Sequence, residues 1–149
     1  MTLTRLIYLS YAAPNLEYPD FLDIMEKSEK NNLVAKITGS LCYGDSMFLQ
    51  ILEGDRKLVS QTYSRISNDK RHFDSELIEF VEIDSRLFST WSMKVVQLDT
   101  FLQKHTRHVL TKYSSSVRYA LSSMNAKQSL QFMVELSELY NQANSQPNN

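Results

Sequence analysis

The alternation of apolar and polar positions divides the first hundred residues into a series of predicted strands and helices. Short apolar runs rich in aromatic and β-branched residues indicate strands, whereas apolar positions that recur every three or four residues indicate helices. The predicted strands are Arg5–Leu9, Ile37–Tyr43, Met47–Leu52, Leu77–Ile83 and Ser92–Leu98, and the predicted helices run from Pro19 to Asn31–Asn32 and from Asp55 to Asp69–His72. The order βαββαββ contains two split βαβ units, which predicts an α+β fold. We expect a ferredoxin-like sheet with two helices on one face and one extra strand.

Two more amphipathic helices are predicted after the sheet. Thr100 and Gln103 have capping-box spacing ahead of one apolar stripe, and Asn125 and Gln128 repeat that spacing ahead of a second stripe. The Asn- and Gln-rich end has no apolar period, which predicts disorder. We therefore expect a sheet domain at 1–98, a helical extension at 99–140 and a disordered tail at 141–149.

Composition excludes several classes of protein. The 149 residues include 16 Lys and Arg against 17 Asp and Glu, so no electrostatic field is expected to attract nucleic acid or an anionic membrane. The single cysteine, Cys42, cannot form an intrachain disulfide, and we expect it to be a small buried apolar group in a cytoplasmic protein. The sequence has no apolar run of membrane-spanning length, no signal peptide, no phosphate-binding glycine motif, no HExxH and no GxSxG. These patterns predict a soluble protein without a metal site or a standard hydrolase site.

Two polar side chains fall where the core of the sheet is predicted. Met47–Leu52 is apolar on both faces except at Gln50, and Tyr8 lies in the middle of the apolar first strand. Because the first and third strands are the central pair of a ferredoxin-like sheet, we expect the two side chains to be buried and in contact. Two interpretations stay open. Either the Tyr8 hydroxyl reaches the rim while Gln50 bonds backbone or water, or both groups bind a buried polar ligand between helices and sheet.

Asn31 and Asn32 close the first predicted helix and allow two interpretations as well. Asparagine often ends a helix in the left-handed conformation. Two side-chain amides at the mouth of the same core would also suit a heterocycle with alternating hydrogen-bond acceptors and donors. Both remain open at the level of the sequence.

Several separated stretches together resemble the BLUF domain, a blue-light sensor that uses flavin. They are Asn32–Gly39, Phe48–Gly54, Asp69–His72 and Phe88–Met93, preceded by Tyr8. The resemblance covers roughly residues 1–98, and the ferredoxin-like order of that family agrees with the predicted elements. By length and arrangement, the two terminal helices are similar to those of short, single-domain BLUF photoreceptors.

The resemblance implies a flavin, expected to be FAD, with FMN or riboflavin as alternatives because no phosphate-binding motif fixes the tail. It implies that Tyr8 donates an electron and a proton to the excited flavin, and that Gln50 bridges Tyr8 and the flavin and rearranges after illumination. Asn32, with Asn31 nearby, would hold the pyrimidine edge. The remaining residues that the resemblance implies are the apolar walls Ile24, Leu41, Phe48 and Ile66, the ribityl-side residues Arg65, Asp69 and His72, and the relay residues Trp91 and Met93.

The sequence therefore predicts a light-dependent switch of protein interaction or oligomeric state, without catalytic turnover. We expect a homo-oligomer and a downstream signalling partner, and no binding to nucleic acid or membrane. One alternative is an acylphosphatase-like enzyme, which would need an Arg-bearing anion loop that Tyr11–Asn15 does not provide. The other is a ferredoxin-like module that binds proteins independently of light.

Overall fold

The computed structural model describes residues 1–89, 94–97, 103–114 and 120–145 of the chain. Its elements in chain order are β1 (Leu3–Ala12), α1 (Tyr18–Val34), β2 (Thr38–Gly44), β3 (Met47–Asp55), α2 (Arg56–Ser67), β4 (His72–Glu82), β5 (Lys94–Gln97), α3 (Gln103–Tyr113), a short 3-10 helix (Ala120–Ser123) and α4 (Ala126–Ser145).

The strands form one five-stranded sheet in the order β4-β1-β3-β2-β5. β1 is antiparallel to β3 and β4, and β2 is antiparallel to β3, whereas β5 adds to β2 in parallel. The predicted ferredoxin-like α+β fold, with β1 beside β3 and one extra strand, is therefore confirmed. The predicted strand Ser92–Leu98 is represented by β5 in the described part of the chain.

Helices cover both faces of the sheet at β1, β2 and β3. Because successive side chains of a strand point to opposite faces, these strands contribute to two buried clusters. On the front face, defined by α1 and α2, a buried cluster includes Leu6, Tyr8, Leu41, Phe48 and Leu52 of the strands. On the back face, defined by α3 and α4, the strand residues that are buried are Ile7, Leu9, Cys42, Met47, Leu49 and Ile51, and the helix residues are Val109, Phe132, Met133 and Leu136. Full burial of such a side chain contributes about 1.5–3 kcal/mol, so the C-terminal helices form a second core rather than a loose appendage.

The boundaries of α1 differ from the prediction at its C-terminus. The helix begins with Pro19 in its first turn, and Glu17 and Asp20 form a capping box. It continues through Asn31 and Asn32 to Val34, and the left-handed residue is Lys36, with φ of 54°. The helix-closing interpretation of the two asparagines is therefore wrong.

Three other boundaries also bear on the predictions. Asp55 occupies the N-cap position of α2, but within the described ranges its side chain makes no capping hydrogen bond. β4 begins at His72, five residues before the predicted start, because pairing with Tyr11 and Ala12 extends the strand. α4 continues to Ser145, so the prediction of disorder is wrong for residues 141–145. These residues contain neither glycine nor proline, and the helix continues through them.

The capping box predicted for the last helix is present. The amide of Asn125 donates to Gln128 Oε1 at 3.0 Å, and the amide of Gln128 donates to Asn125 Oδ1 at 2.9 Å. Thr100 of the other predicted capping box lies outside the described residues.

Candidate functional site

A cavity of about 280 Å³ lies between the front face of the sheet and helices α1 and α2. Its lining consists of Tyr8, Ile24, Lys27, Ser28, Asn31, Asn32, Leu41, Phe48, Gln50, Thr62, Arg65, Ile66, Asp69, Arg71 and His72. The deep part is buried, whereas Lys27, Asn31 and Arg65 are exposed and mark the mouth. The volume is close to the lower end of the range of about 300–1,000 Å³ found for small-molecule sites.

Tyr8 and Gln50 meet at the floor of this cavity. They stand directly opposite each other in the antiparallel β1–β3 pair, so their side chains share the front face. Both are nearly fully buried, and the Tyr8 hydroxyl donates a hydrogen bond to Gln50 Oε1. The expected contact is therefore present, and the alternative in which the Tyr8 hydroxyl reaches the rim is wrong.

The Gln50 carboxamide keeps one unused donor. Its Oε1 accepts the Tyr8 hydroxyl, but its buried Nε2 has no hydrogen-bond partner among the residues that the structure describes. An unsatisfied buried donor costs about 1–3 kcal/mol, which is a large penalty for one atom. The amide is thus oriented to bind a further acceptor.

Asn32 presents a second unused donor to the same cavity. Its side chain is only 2% exposed, and its Nδ2 also lacks a partner within the described ranges. Asn31 lies at the exposed mouth one residue earlier. Two buried amide donors on opposite walls, one on β3 and one on α1, fit a ligand with acceptor atoms on its edge.

The environment of Tyr8 keeps its phenol protonated. Burial raises the pKa of Tyr8 well above its ordinary value of 10.0, and Tyr63 and Asp69 raise it further. The Tyr63 ring lies 5.3 Å from the Tyr8 ring between centroids, and the His72 ring lies 6.4 Å away. Tyr8 is therefore a neutral hydrogen-bond donor at physiological pH.

His72 closes the cavity between α2 and β1. Its Nδ1 lies 2.8 Å from Ser10 Oγ, and its Nε2 bonds the carbonyl oxygen of Ile66. Because that carbonyl can only accept, Nε2 carries a hydrogen, and in the neutral ring the Ser10 hydroxyl donates to Nδ1. Both ring nitrogens have hydrogen-bond partners, so the His72 ring is held in one orientation and links β1 to the end of α2.

A charged network lies beside the mouth. Arg71 Nε bonds Asp69 Oδ1 at 3.0 Å, its Nη2 bonds Asp69 Oδ2 at 2.5 Å, and its Nη1 bonds Asp23 Oδ2 at 2.7 Å. The Arg71 side chain holds the pKa of Asp69 below its usual value. The network fixes the chain between α2 and β4 against α1.

The cavity brings together every predicted ligand-contacting residue that the structure describes. Sequence reasoning did not assign four lining residues, namely Lys27, Ser28, Thr62 and Arg71. Three of them share a helical face with predicted residues. Ile24, Lys27, Ser28 and Asn31 follow i, i+3, i+4, i+7 spacing on α1, and Thr62, Arg65 and Ile66 follow i, i+3, i+4 spacing on α2. Trp91 and Met93 lie outside the described residues, so their relay role stays a prediction.

By its fold and its cavity, the protein is an α+β domain with a site between two helices and a sheet that suits a small ligand with a polar edge. Among the described residues, no helix combines the length and the apolar character needed to cross a membrane. The profile of one family, described as BLUF, sensors of blue-light using FAD, matches residues 3–94. The chain belongs to this family, and it is a flavin-binding sensor of blue light.

Relatives of this chain include other blue-light proteins. The structure of BlsA in its photo-activated state is similar with a TM-score of 0.77 and 28% identity, over 90% of this chain and 94% of that chain. The dark-state structure of BlrB, a BLUF protein, is similar with a TM-score of 0.68 and 25% identity, over 92% of this chain and 97% of that chain. The beta subunit of photoactivated adenylate cyclase from Euglena gracilis is 33% identical over 93 residues, which are 62% of this chain and 11% of that protein.

Proposed function

We propose that the front-face cavity holds the isoalloxazine ring of FAD and that Tyr8 and Gln50 carry its light response. The observation that supports this most directly is the Tyr8–Gln50 hydrogen bond, which leaves Gln50 Nε2 as an unused buried donor in the cavity lining. Asn32 Nδ2 supplies a second one. The acceptor nitrogen and oxygen atoms along one edge of a flavin ring match this pair of donors.

The cavity is large enough for a planar ring but not for a whole dinucleotide. The remainder of the flavin would therefore extend through the mouth, past Arg65, Asp69 and His72. The cations Lys27 and Arg65 at this mouth suit a phosphate-bearing tail. Ile24, Leu41, Phe48 and Ile66 supply the apolar walls for the ring faces.

When bound, the flavin supplies blue-light absorption and an electron-accepting ring. Tyr8 is a neutral phenol, so it could give an electron to the bound ring while its proton passes along the hydrogen bond to Gln50, and both would return to the Tyr8 oxygen once the carboxamide has rotated. Gln50 presents an acceptor and a donor on one pivot. Rotation of its carboxamide exchanges these groups, so that Nε2 donates to the Tyr8 oxygen and Oε1 becomes available to other donors. The two hydrogen-bond patterns form the switch.

We infer that residues 1–98 act as the sensor and that the helical segment 99–140, which continues in α4 to Ser145, delivers the output. Both C-terminal helices pack on the back face, opposite the cavity. The expected output is a change in protein contact or in homo-oligomeric state, without catalytic turnover in this chain. Cyclase activity belongs to the relatives that carry that name, of which this chain matches about a tenth.

The absorption spectrum of the purified protein, before and after a blue flash, tests this function. We expect a yellow protein that releases FAD on denaturation and whose spectrum shifts reversibly. Tyr8→Phe and Gln50→Leu should retain flavin but lose the shift. Tyr11→Phe is the matched control, because Tyr11 lies on the same strand outside the cavity and stacks on Phe73.

A spectrum that is unchanged by light in the unsubstituted protein would contradict the proposal. Release of FMN or riboflavin would correct the cofactor. Light scattering in darkness and under blue light then tests the output. A spectral shift accompanied by equal mass in both states would favour the light-independent binding module.

A further inference from the structure

A buried ion pair lies on the back face, three residues beyond Gln50 along β3. The Glu53 side chain is fully buried, and its Oε2 lies 2.9 Å from Arg5 Nε and 2.8 Å from Arg5 Nη2. Arg5 and Glu53 are paired across β1 and β3. Since burial of an ion pair is seldom favourable by itself, the additional bonds that the pair makes are informative.

Glu53 also binds the backbone of the chain that follows β4. Its Oε1 accepts hydrogen bonds from the amides of Leu87 at 3.0 Å and Phe88 at 2.7 Å. Hydrogen bonds from a backbone amide to a carboxylate are charge-assisted and strong. One carboxylate thus joins β1, β3 and the 87–88 backbone.

The side chain of Arg86 anchors the same segment to β2 and β3. Its Nη1 donates to Thr38 Oγ1 and to the carbonyl of Glu53, both at 2.8 Å, and its Nη2 donates to the carbonyl of Lys36 at 2.9 Å. We refer to Arg5, Glu53, Arg86 and the amides of Leu87 and Phe88 as the back-face clamp. The clamp fixes residues 86–88 to the ends of β2 and β3.

Phe88 connects the clamp to the last helix. Its side chain is buried in the back-face core with Phe132, Met133 and Leu136 of α4. A second cavity, of about 100 Å³, separates residues 87–89 from part of α4 and is lined there by Val134, Ser137, Glu138 and Asn141. The segment therefore packs with α4 in the core on one side and borders this cavity on another.

We propose that Glu53 and Arg86 are positioning residues that transmit a change at Gln50 to α4. The clamp couples β3 to residues 86–88, and Phe88 carries their position into the α4 core. The space beside α4 allows a second position of this segment. This inference rests on the proposed light response of Gln50, but it assigns roles to residues on the face opposite the flavin cavity.

The test uses the full, flavin-loaded chain and compares Glu53→Gln and Arg86→Gln with Glu82→Gln. Glu82 is the matched control because it forms an exposed pair with Arg56, at 3.6 Å, near the same end of the sheet. Arg86 is half-buried, so its substitution remains informative if Glu53→Gln does not fold. The absorption shift and amide hydrogen exchange are measured in darkness and under blue light.

We expect both clamp variants to keep the spectral shift. In darkness the Leu87 and Phe88 amides should exchange about tenfold faster or more in Glu53→Gln, because charge-assisted bonds are lost. The unsubstituted protein and Glu82→Gln should show a light-dependent change of exchange in α4, and the clamp variants should lose it. A merely structural clamp would accelerate exchange equally in both states and leave the light-minus-dark difference intact.

A light-dependent change in α4 that survives in both clamp variants would overturn the inference, as would its absence from the unsubstituted protein. Loss of the spectral shift in the clamp variants would also overturn it, since their effect would then lie at the flavin. An unsubstituted protein without any spectral shift would instead refute the proposed function itself.

Discussion

Replacing Asn32 with leucine should change folding stability and flavin affinity in opposite directions. The substitution removes a buried donor that has no partner among the described residues, and leucine has a similar size. Removal of an unsatisfied donor recovers its desolvation penalty, so the flavin-free protein should gain about 1–3 kcal/mol in free energy of unfolding.

The same substitution should weaken flavin binding. A flavin acceptor that faces leucine instead of an amide loses its hydrogen bond in the buried part of the cavity. A loss of about 1–3 kcal/mol corresponds to an affinity that is about 5- to 150-fold lower. The change should appear mainly in the dissociation rate, as is usual for variants of one binding site.

Two measurements on the same preparations check this prediction. Urea unfolding of the flavin-free chain gives the stability, and titration with FAD, followed by fluorescence quenching, gives the affinity. Thr4→Val is the matched control, because Thr4 is equally buried but its hydroxyl bonds the carbonyl of Gly54 at 3.1 Å, away from the cavity. It should lose about 0.5–1.5 kcal/mol of stability and leave FAD affinity unchanged.

The signs of the two effects decide the outcome. If Asn32→Leu destabilises the flavin-free chain as Thr4→Val does, the Asn32 amide has a partner there and is not reserved for a ligand. If affinity for FAD is unchanged, the amide does not contact the flavin.

Three further predictions follow from other parts of the structure. Because burial keeps the Tyr8 phenol neutral, the light-induced spectral shift should be constant up to about pH 10 in absorption measurements, and a loss with a midpoint near pH 8 would refute this. Arg5→Leu should lower the free energy of unfolding by about 3–5 kcal/mol, since Glu53 is left buried without its cation. Arg56→Leu, at an exposed pair, should lower the free energy of unfolding by no more than about 1 kcal/mol. Urea unfolding measures both variants, and equal losses in Arg5→Leu and Arg56→Leu would contradict the expected difference between the buried and the exposed pair. The lowered pKa of Asp69 contributes stability that is fully present above the ordinary carboxyl pKa of 3.8 and is lost as pH falls through the lowered value. The free energy of unfolding of Asp69→Asn should therefore depend less on pH in acid unfolding. An unchanged acid-unfolding curve would count against the Arg71 pair.

The sequence was sufficient to predict the front face of the sheet, because strand alternation and helical spacing report which side of each element is buried. Tyr8 and Gln50 were paired correctly because the βαββαββ order brings the first and third strands together. The same reasoning could not determine where the first helix ends. A helix ends where its last carbonyls find partners, and the left-handed turn at Lys36, a residue with no special preference for it, has no strong local signal.

The back face shows a second limit. Periodicity indicates that β3 is covered on both sides, but it does not identify the covering element, since any apolar helix satisfies the pattern. The contacts of Glu53 with Leu87 and Phe88 link residues more than thirty positions apart, through a carboxylate and two backbone amides. Backbone amides leave no trace in a sequence pattern, so neither this contact nor the packing of Phe88 near α4 could be predicted.

The alternation of β3 determines how a signal can leave the cavity. Gln50 points to the front, whereas Ile51 and Glu53 point to the back, so the flavin site and the C-terminal helices share this strand but not a face. A light-driven change at Gln50 therefore reaches α4 either through the backbone of β3 or around an edge of the sheet. β3 is the central strand and pairs on both sides, which makes a large shift of its backbone costly. A small change at the end of β3, where Glu53 binds residues 87–88 beside the second cavity, is less costly. Substitutions in the back-face clamp should therefore alter the output and leave the photochemistry intact.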